Sequence, residues 1–209
     1  VVTVKLITAE GLTESPASMV LTGDGRTDLR VLKLLALKYN GMKILFYPKI
    51  PLVRKGTDVF ADLLNPIGSI VEKYRKITKF LIIIDREHVS TGGELSAKLK
   101  KFKLRIHHYE TIDDGVHIIK GVFGGREITV FIVLCGIKWC LEEEIAKLIE
   151  IRYKTKVTAS SCRELKLALR RFEKQHNKNW ETVIKEASKK ELECAFGGLT
   201  YVLKLLEKE

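Results

Sequence analysis

The most constraining stretch of this sequence is Phe80-Leu81-Ile82-Ile83-Ile84, an unbroken apolar run that ends at Asp85-Arg86-Glu87. Aromatic and β-branched residues favour strands. A strand that is apolar on both faces is covered on both faces, as central parallel strands are. The run therefore predicts an interior strand of a sheet with helices on each side. Three charged residues at its carboxyl end then stand where such sheets bind ligands.

The flanking pattern agrees. Val2 to Ile7 and Met19-Val20-Leu21-Thr22 read as strands, and the second stops at Gly23-Asp24-Gly25. Leu29, Leu32, Leu35 and Ala36 recur at helical spacing, which predicts a helix from Thr27 or Asp28 to Tyr39, closed by Asn40-Gly41. Lys43 to Tyr47 is the next strand. Asp58 to Leu64 reads as a turn or two of helix, and Asn65-Pro66 as the start of a fresh one. A helix from Glu94 to Lys101 and a strand from Leu104 to Tyr109 follow. Val116 to Val122 and Glu127 to Leu134 flank Gly124-Gly125, a hairpin signal. Trp139 to Tyr153 reads as an amphipathic helix, and helices are expected over 161–175, 178–190 and 195–207. This order predicts an α/β fold, with a mostly parallel sheet and helices on both faces. It divides into an α/β domain over residues 1–157 and a helical C-terminal extension over 158–209.

At 209 residues the chain can bury a core without disulfides or metals. No apolar run reaches the ~20 residues of a membrane span, so no membrane partner is expected. Val1-Val2-Thr3-Val4 lacks the features of a signal peptide, and a start without methionine suggests processing or a trimmed sequence. Cys135, Cys140, Cys162 and Cys194 show no paired spacing and read as reduced thiols of a cytoplasmic protein. Abundant Lys and Glu with little Met suit a thermophile. The net charge of +11 points to a polyanionic partner, DNA or RNA. Basic candidates for phosphate contact are Arg26, Arg54, Lys55, Lys98, Lys101, Arg163 and Arg170. Arg163, Lys166, Arg170 and Lys174 share one helical face. His107 and His108 fall within one strand, so one should face in and the other out.

The acids carry the chemistry. Asp85 and Glu87 are two apart in an extended segment and point the same way. Hard divalent ions take one or two carboxylates plus waters and phosphates. Gly23 and Gly25 allow close backbone approach beside Asp24. Thr22-Gly23-Asp24-Gly25-Arg26-Thr27-Asp28 after a strand, with Ile84-Asp85-Arg86-Glu87 and Gly93-Glu94-Leu95 after the central one, resembles the two motifs of the Toprim domain. That domain occurs in topoisomerases, bacterial primases, ribosomal-RNA maturation nucleases and OLD-type nucleases. The resemblance spans roughly residues 18 to 150. It implies Mg²⁺- or Mn²⁺-dependent phosphodiester cleavage, with Asp24 in acid/base chemistry or metal support. Asp85 and Glu87 would bind the metal, with Glu142, or its neighbour Glu143, on the late helix as a further ligand. Asp24 is one methylene shorter than the family's glutamate, and Glu87 stands for its second aspartate. Two other functions fit the same features: a non-catalytic nucleic-acid-binding or assembly protein with a degenerate site, and a nucleotide-binding sheet. A homodimer is compatible with all three.

Overall fold

The computed structural model describes residues 5–6, 18–22, 26–39, 44–46, 59–74, 76–89, 92–102, 104–113 and 115–207. The described residues form an α/β fold. Its strands are β1 (Lys5–Leu6), β2 (Ser18–Thr22), β3 (Ile44–Phe46), β4 (Lys79–Asp85), β5 (Arg105–Ile112), β6 (Val116–Phe123) and β7 (Arg126–Cys135). They make one sheet in the order β1-β3-β2-β4-β7-β6-β5. The first five strands in that order run parallel, and β6 and β5 are antiparallel. The helices are α1 (Arg26–Ala36), α2 (Val59–Lys73), α3 (Gly92–Lys101), α4 (Glu142–Tyr153), α5 (Cys162–His176), α6 (Trp180–Glu186), α7 (Lys189–Ala195) and α8 (Gly197–Glu207).

The apolar run behaves as its composition demands. β4 lies between β2 and β7, and its side chains alternate between two cores. Leu81 and Ile83 point into the core shared with α1, α4 and the C-terminal helices. Phe80, Ile82 and Ile84 point to the core under α2 and α3. Alternation continues through Asp85, which therefore leaves the sheet on the α1/α4 side. No helix among the described residues is long and apolar enough to cross a membrane.

Several expectations are corrected. α2 runs unbroken through Pro66 where two helices were expected. Proline inside a helix removes a hydrogen bond and costs ~3 kcal/mol. Phe60, Leu63, Leu64, Ile67, Ile70 and Val71 form one buried stripe on both sides of it, and their burial outweighs that cost. The helix expected over 178–190 is two helices. Ser188 starts α7 with a capping box to Glu191, which breaks the run at Ala187. β5 is an antiparallel edge strand rather than a member of the parallel set. Its register shifts between Ile106 and His108, and both His107 and His108 are exposed. They face carboxylates instead: His107 Nε2 lies 2.8 Å from Glu127 Oε2, and His108 Nε2 3.5 Å from Glu110 Oε2. The hairpin turn falls at Gly124 and Gly125, both with positive φ, as a two-residue turn requires.

The thiol reading is also overturned. Cys140 and Cys162 form a disulfide across 22 residues, joining the start of the helical extension to the loop before α4. Cys135 and Cys194 remain free, the first buried and the second exposed.

Candidate functional site

The site forms where β4 and β7 end. Asp85 and Cys135 are register partners there. The chain then turns under tight backbone control. Arg86 N–H donates to Cys135 O (3.1 Å), and Glu87 N–H donates to Trp139 O (3.0 Å). Arg86 Nε donates to Gly136 O at 2.9 Å. These bonds fix the turn after β4 to the loop 136–141 after β7.

The loop is organised by the first turn of α4, where the helix dipole favours acids. Glu143 Oε2 accepts from the amides of Ile137, Lys138, Trp139 and Cys140, at 2.7–3.2 Å. This is why the helix starts at Glu142 and not at Trp139 as expected. Gly136 opens the loop with φ 83°, and a Cβ there would lie 2.5 Å from Cys140 O. Gly136→Ala is therefore expected to destabilise the fold by about 3 kcal/mol, measured by urea unfolding.

The carboxylates of Asp85 and Glu144 lie beside this loop with the Cys135 thiol, and Asp28 is close enough for its charge to act on that thiol. Asp85 Oδ1 accepts from Leu141 N–H at 2.9 Å. Burial pushes the Asp85 carboxyl up to about 7; that amide opposes the rise, the charges of Glu142 and Glu87 add to it, and Lys166 counters it. Glu144 Oε1 accepts from Gly136 N–H at 3.1 Å, while its Oε2 is buried with no hydrogen-bond partner. Burial pushes Glu144 up to about 8; the Gly136 amide opposes this, Asp85 adds to it, and Lys147 and Arg86 counter it. Cys135 lies under these acids. Burial raises its thiol well above the usual range, helped by Glu144, Asp28 and Asp85 and opposed by Arg86. Asp28, in the first turn of α1, is itself buried. In the native protein, iodoacetamide should thus modify Cys194 and spare Cys135 until the chain unfolds, as read by peptide mass spectrometry.

The expected site residues divide. Asp85 lies beside the loop with Glu144 and Cys135. Glu87 is exposed, with Oε1 3.9 Å from His88 Nε2. Glu142 is buried, but its carboxylate turns to α5: Oε1 is 3.5 Å from Lys166 Nζ, and Oε2 3.7 Å from Cys162 Sγ. Asp85, Glu87 and Glu142 do not converge; among the described residues, the group of ligand atoms within 4.8 Å of one another is Cys140, Glu142 and Cys162. Asp24, Arg54 and Lys55 lie outside the described residues, as does the side chain of Arg26. Arg163 and Arg170 are exposed on α5, on the α4 side of the sheet. Lys98 and Lys101 are on α3, across the sheet, where Lys98 Nζ is 3.3 Å from Glu94. Among the described residues, these basic candidates therefore lie on opposite sides of the sheet.

Sequence reasoning gave Glu144 no role, and it gave Asp28 none beyond its place in the motif after β2. The period of α4 held the signal: Glu144 precedes Ile145 and Leu148 on the inward side, whereas acids in a first turn are ordinarily solvated. No protein-family model matches the chain, and neither the curated proteins nor the solved structures contain a match to it.

Proposed function

We propose that this chain is a Toprim-like protein that cleaves phosphodiester bonds of nucleic acid with the help of Mg²⁺ or Mn²⁺. The observation that carries the reading is Asp85. It ends the central strand, is half-buried beside Glu144, and its carboxyl is raised to about 7, chiefly by desolvation. Glu144 adds a buried carboxylate oxygen with no partner. Carboxylates that burial disfavours in their charged form, with neighbouring acids adding to the cost, are what a bound cation would stabilise. Its donors are carboxylate oxygens, the ligands of a hard divalent ion.

In this reading Asp85 and Glu144 hold the metal, Glu144 in place of Glu142, and Glu87, exposed on the turn, stands outside this pair. Asp24 supports the metal or moves a proton. β2 supports the pairing of these motifs, because it runs parallel beside β4 with Thr22 opposite Ile83. When bound, the ion would offset the charge of the scissile phosphodiester. The loop amide of Leu141 orients Asp85. Arg163, Lys166 and Arg170 would hold the backbone of the nucleic acid, since Lys166 already reaches the edge of the acids at Glu142.

The test is incubation with labelled single- and double-stranded DNA and RNA, with Mg²⁺, Mn²⁺ or EDTA. Metal-dependent cleavage that falls roughly 100-fold or more in Asp85→Asn is the expected result. Salt-sensitive binding without cleavage would assign an assembly role instead. Binding to no polymer, with thermal stabilisation by a nucleotide, would assign a nucleotide-binding sheet.

A further inference from the structure

Glu142 is only 6% exposed, yet its Oε2 lies 3.7 Å from Cys162 Sγ, a sulfur in a disulfide. A disulfide sulfur has no proton to donate and carries no positive charge. The cation described near this carboxylate is Lys166, whose side chain is 53% exposed. The contact therefore gains little in the oxidised state. It acquires a purpose once the two sulfurs are separate.

We infer that reduction of the Cys140–Cys162 bond creates a zinc site whose protein ligands are the Cys140 and Cys162 thiolates and the Glu142 carboxylate, with water in the fourth position. The three donors already lie within 4.8 Å of one another. Two thiolates with a borderline hard ligand suit Zn²⁺ rather than Mg²⁺. Two Zn–S bonds of ~2.3 Å at the tetrahedral angle place the sulfurs roughly 3.8 Å apart. The Cα atoms, 6.1 Å apart, need little movement for that separation. Cys162 is half-buried at the first turn of α5 and gives the metal its way in. Lys166 can swing into solvent as the metal takes over its carboxylate.

The chemistry balances as follows. A dithiol reductant attacks one sulfur through a mixed disulfide and leaves as its own cyclic disulfide, so two electrons and two protons pass to the cysteines. Zn²⁺ then displaces those two protons from the thiols and binds the ionised carboxylate. The disulfide is the oxidised, metal-free form of the same site. This inference is independent of the Mg²⁺ reading, because it uses thiolate ligands beside the strand-end acids and needs no nucleic acid.

Cobalt(II) is the probe. The experiment uses a Cys194→Ser background, reduced with dithiothreitol and desalted without oxygen. Titration should give one bound Co²⁺ with thiolate-to-cobalt charge-transfer absorption, displaced by one equivalent of Zn²⁺. The oxidised protein and Cys162→Ser should show neither. Glu142→Gln keeps both thiols and should bind Co²⁺ roughly tenfold or more weakly, with folding checked by circular dichroism. The inference is overturned if the native disulfide resists the dithiol. It is equally overturned if the reduced protein binds no Co²⁺, or if Glu142→Gln binds as tightly as the wild type.

Discussion

Asp85→Asn will be more stable than the wild-type protein at about pH 8 while losing the proposed cleavage activity. Asparagine keeps the shape of the side chain and removes a charge that burial disfavours. In the folded protein the Asp85 carboxyl titrates at about 7, against an ordinary 3.8. Between those values the folded protein holds a proton that the unfolded chain has released. Stability conferred by Asp85 is therefore complete below about pH 4, falls as pH rises, and is gone above about pH 7. The displacement corresponds to about 4 kcal/mol. Glu144, at about 8, carries the decline further into the alkaline range. The variant should gain roughly 2 kcal/mol at about pH 8 and little at about pH 4, and its stability curve should be flatter between them. Urea unfolding across that range measures it. A gain in stability matched by a loss of function marks a residue held in a costly state for its chemistry.

Glu143→Ala will have a large structural effect on the loop that frames the site. One carboxylate oxygen accepts from four successive backbone amides, Ile137 to Cys140. Hydrogen bonds to a charged acceptor are each worth about 1.5–3 kcal/mol, and water can replace some of them at this partly exposed loop. The expected loss is about 3 kcal/mol, or a fall in Tm of roughly 10 °C for a chain of this size. Glu143→Gln retains an acceptor and should lose about half as much. The loop also positions Leu141 N–H on Asp85 and carries Cys140. Glu143→Ala should consequently reduce the proposed cleavage without touching substrate, which separates it from Asp85→Asn by its effect on thermal stability.

The parts of the fold that were legible in the sequence rest on local physics. Phe80 to Ile84 could only be an interior strand, and Gly124-Gly125 could only turn a hairpin. The leading signals for the site were also local: an acid directly after the central strand is visible in one dimension. What escaped was decided by tertiary contact. Pro66 looks like a helix start until the stripe from Phe60 to Val71 is seen packed on the sheet. Glu142, Glu143 and Glu144 are identical in type and adjacent. Only the path of loop 136–141 gives them three different tasks: contact with α5, capping of the loop, and a buried place beside Asp85. Cys140 and Cys162 sit on separate elements, so no spacing rule could pair them. Ser188-Lys189-Lys190-Glu191 was readable as a capping box, and the break between α6 and α7 follows from it.

If the acids at the ends of β4 and β7 form the proposed divalent-cation site, calorimetry counts its protons. Near pH 7 Asp85 and Glu144 are partly protonated, so a metal that needs them ionised must displace protons. Titration of Mn²⁺ in buffers of different ionisation enthalpy should show one bound ion and the release of about one proton, with both lost in Asp85→Asn. Binding that releases no protons and is unchanged in Asp85→Asn, or no binding at all, would contradict the account.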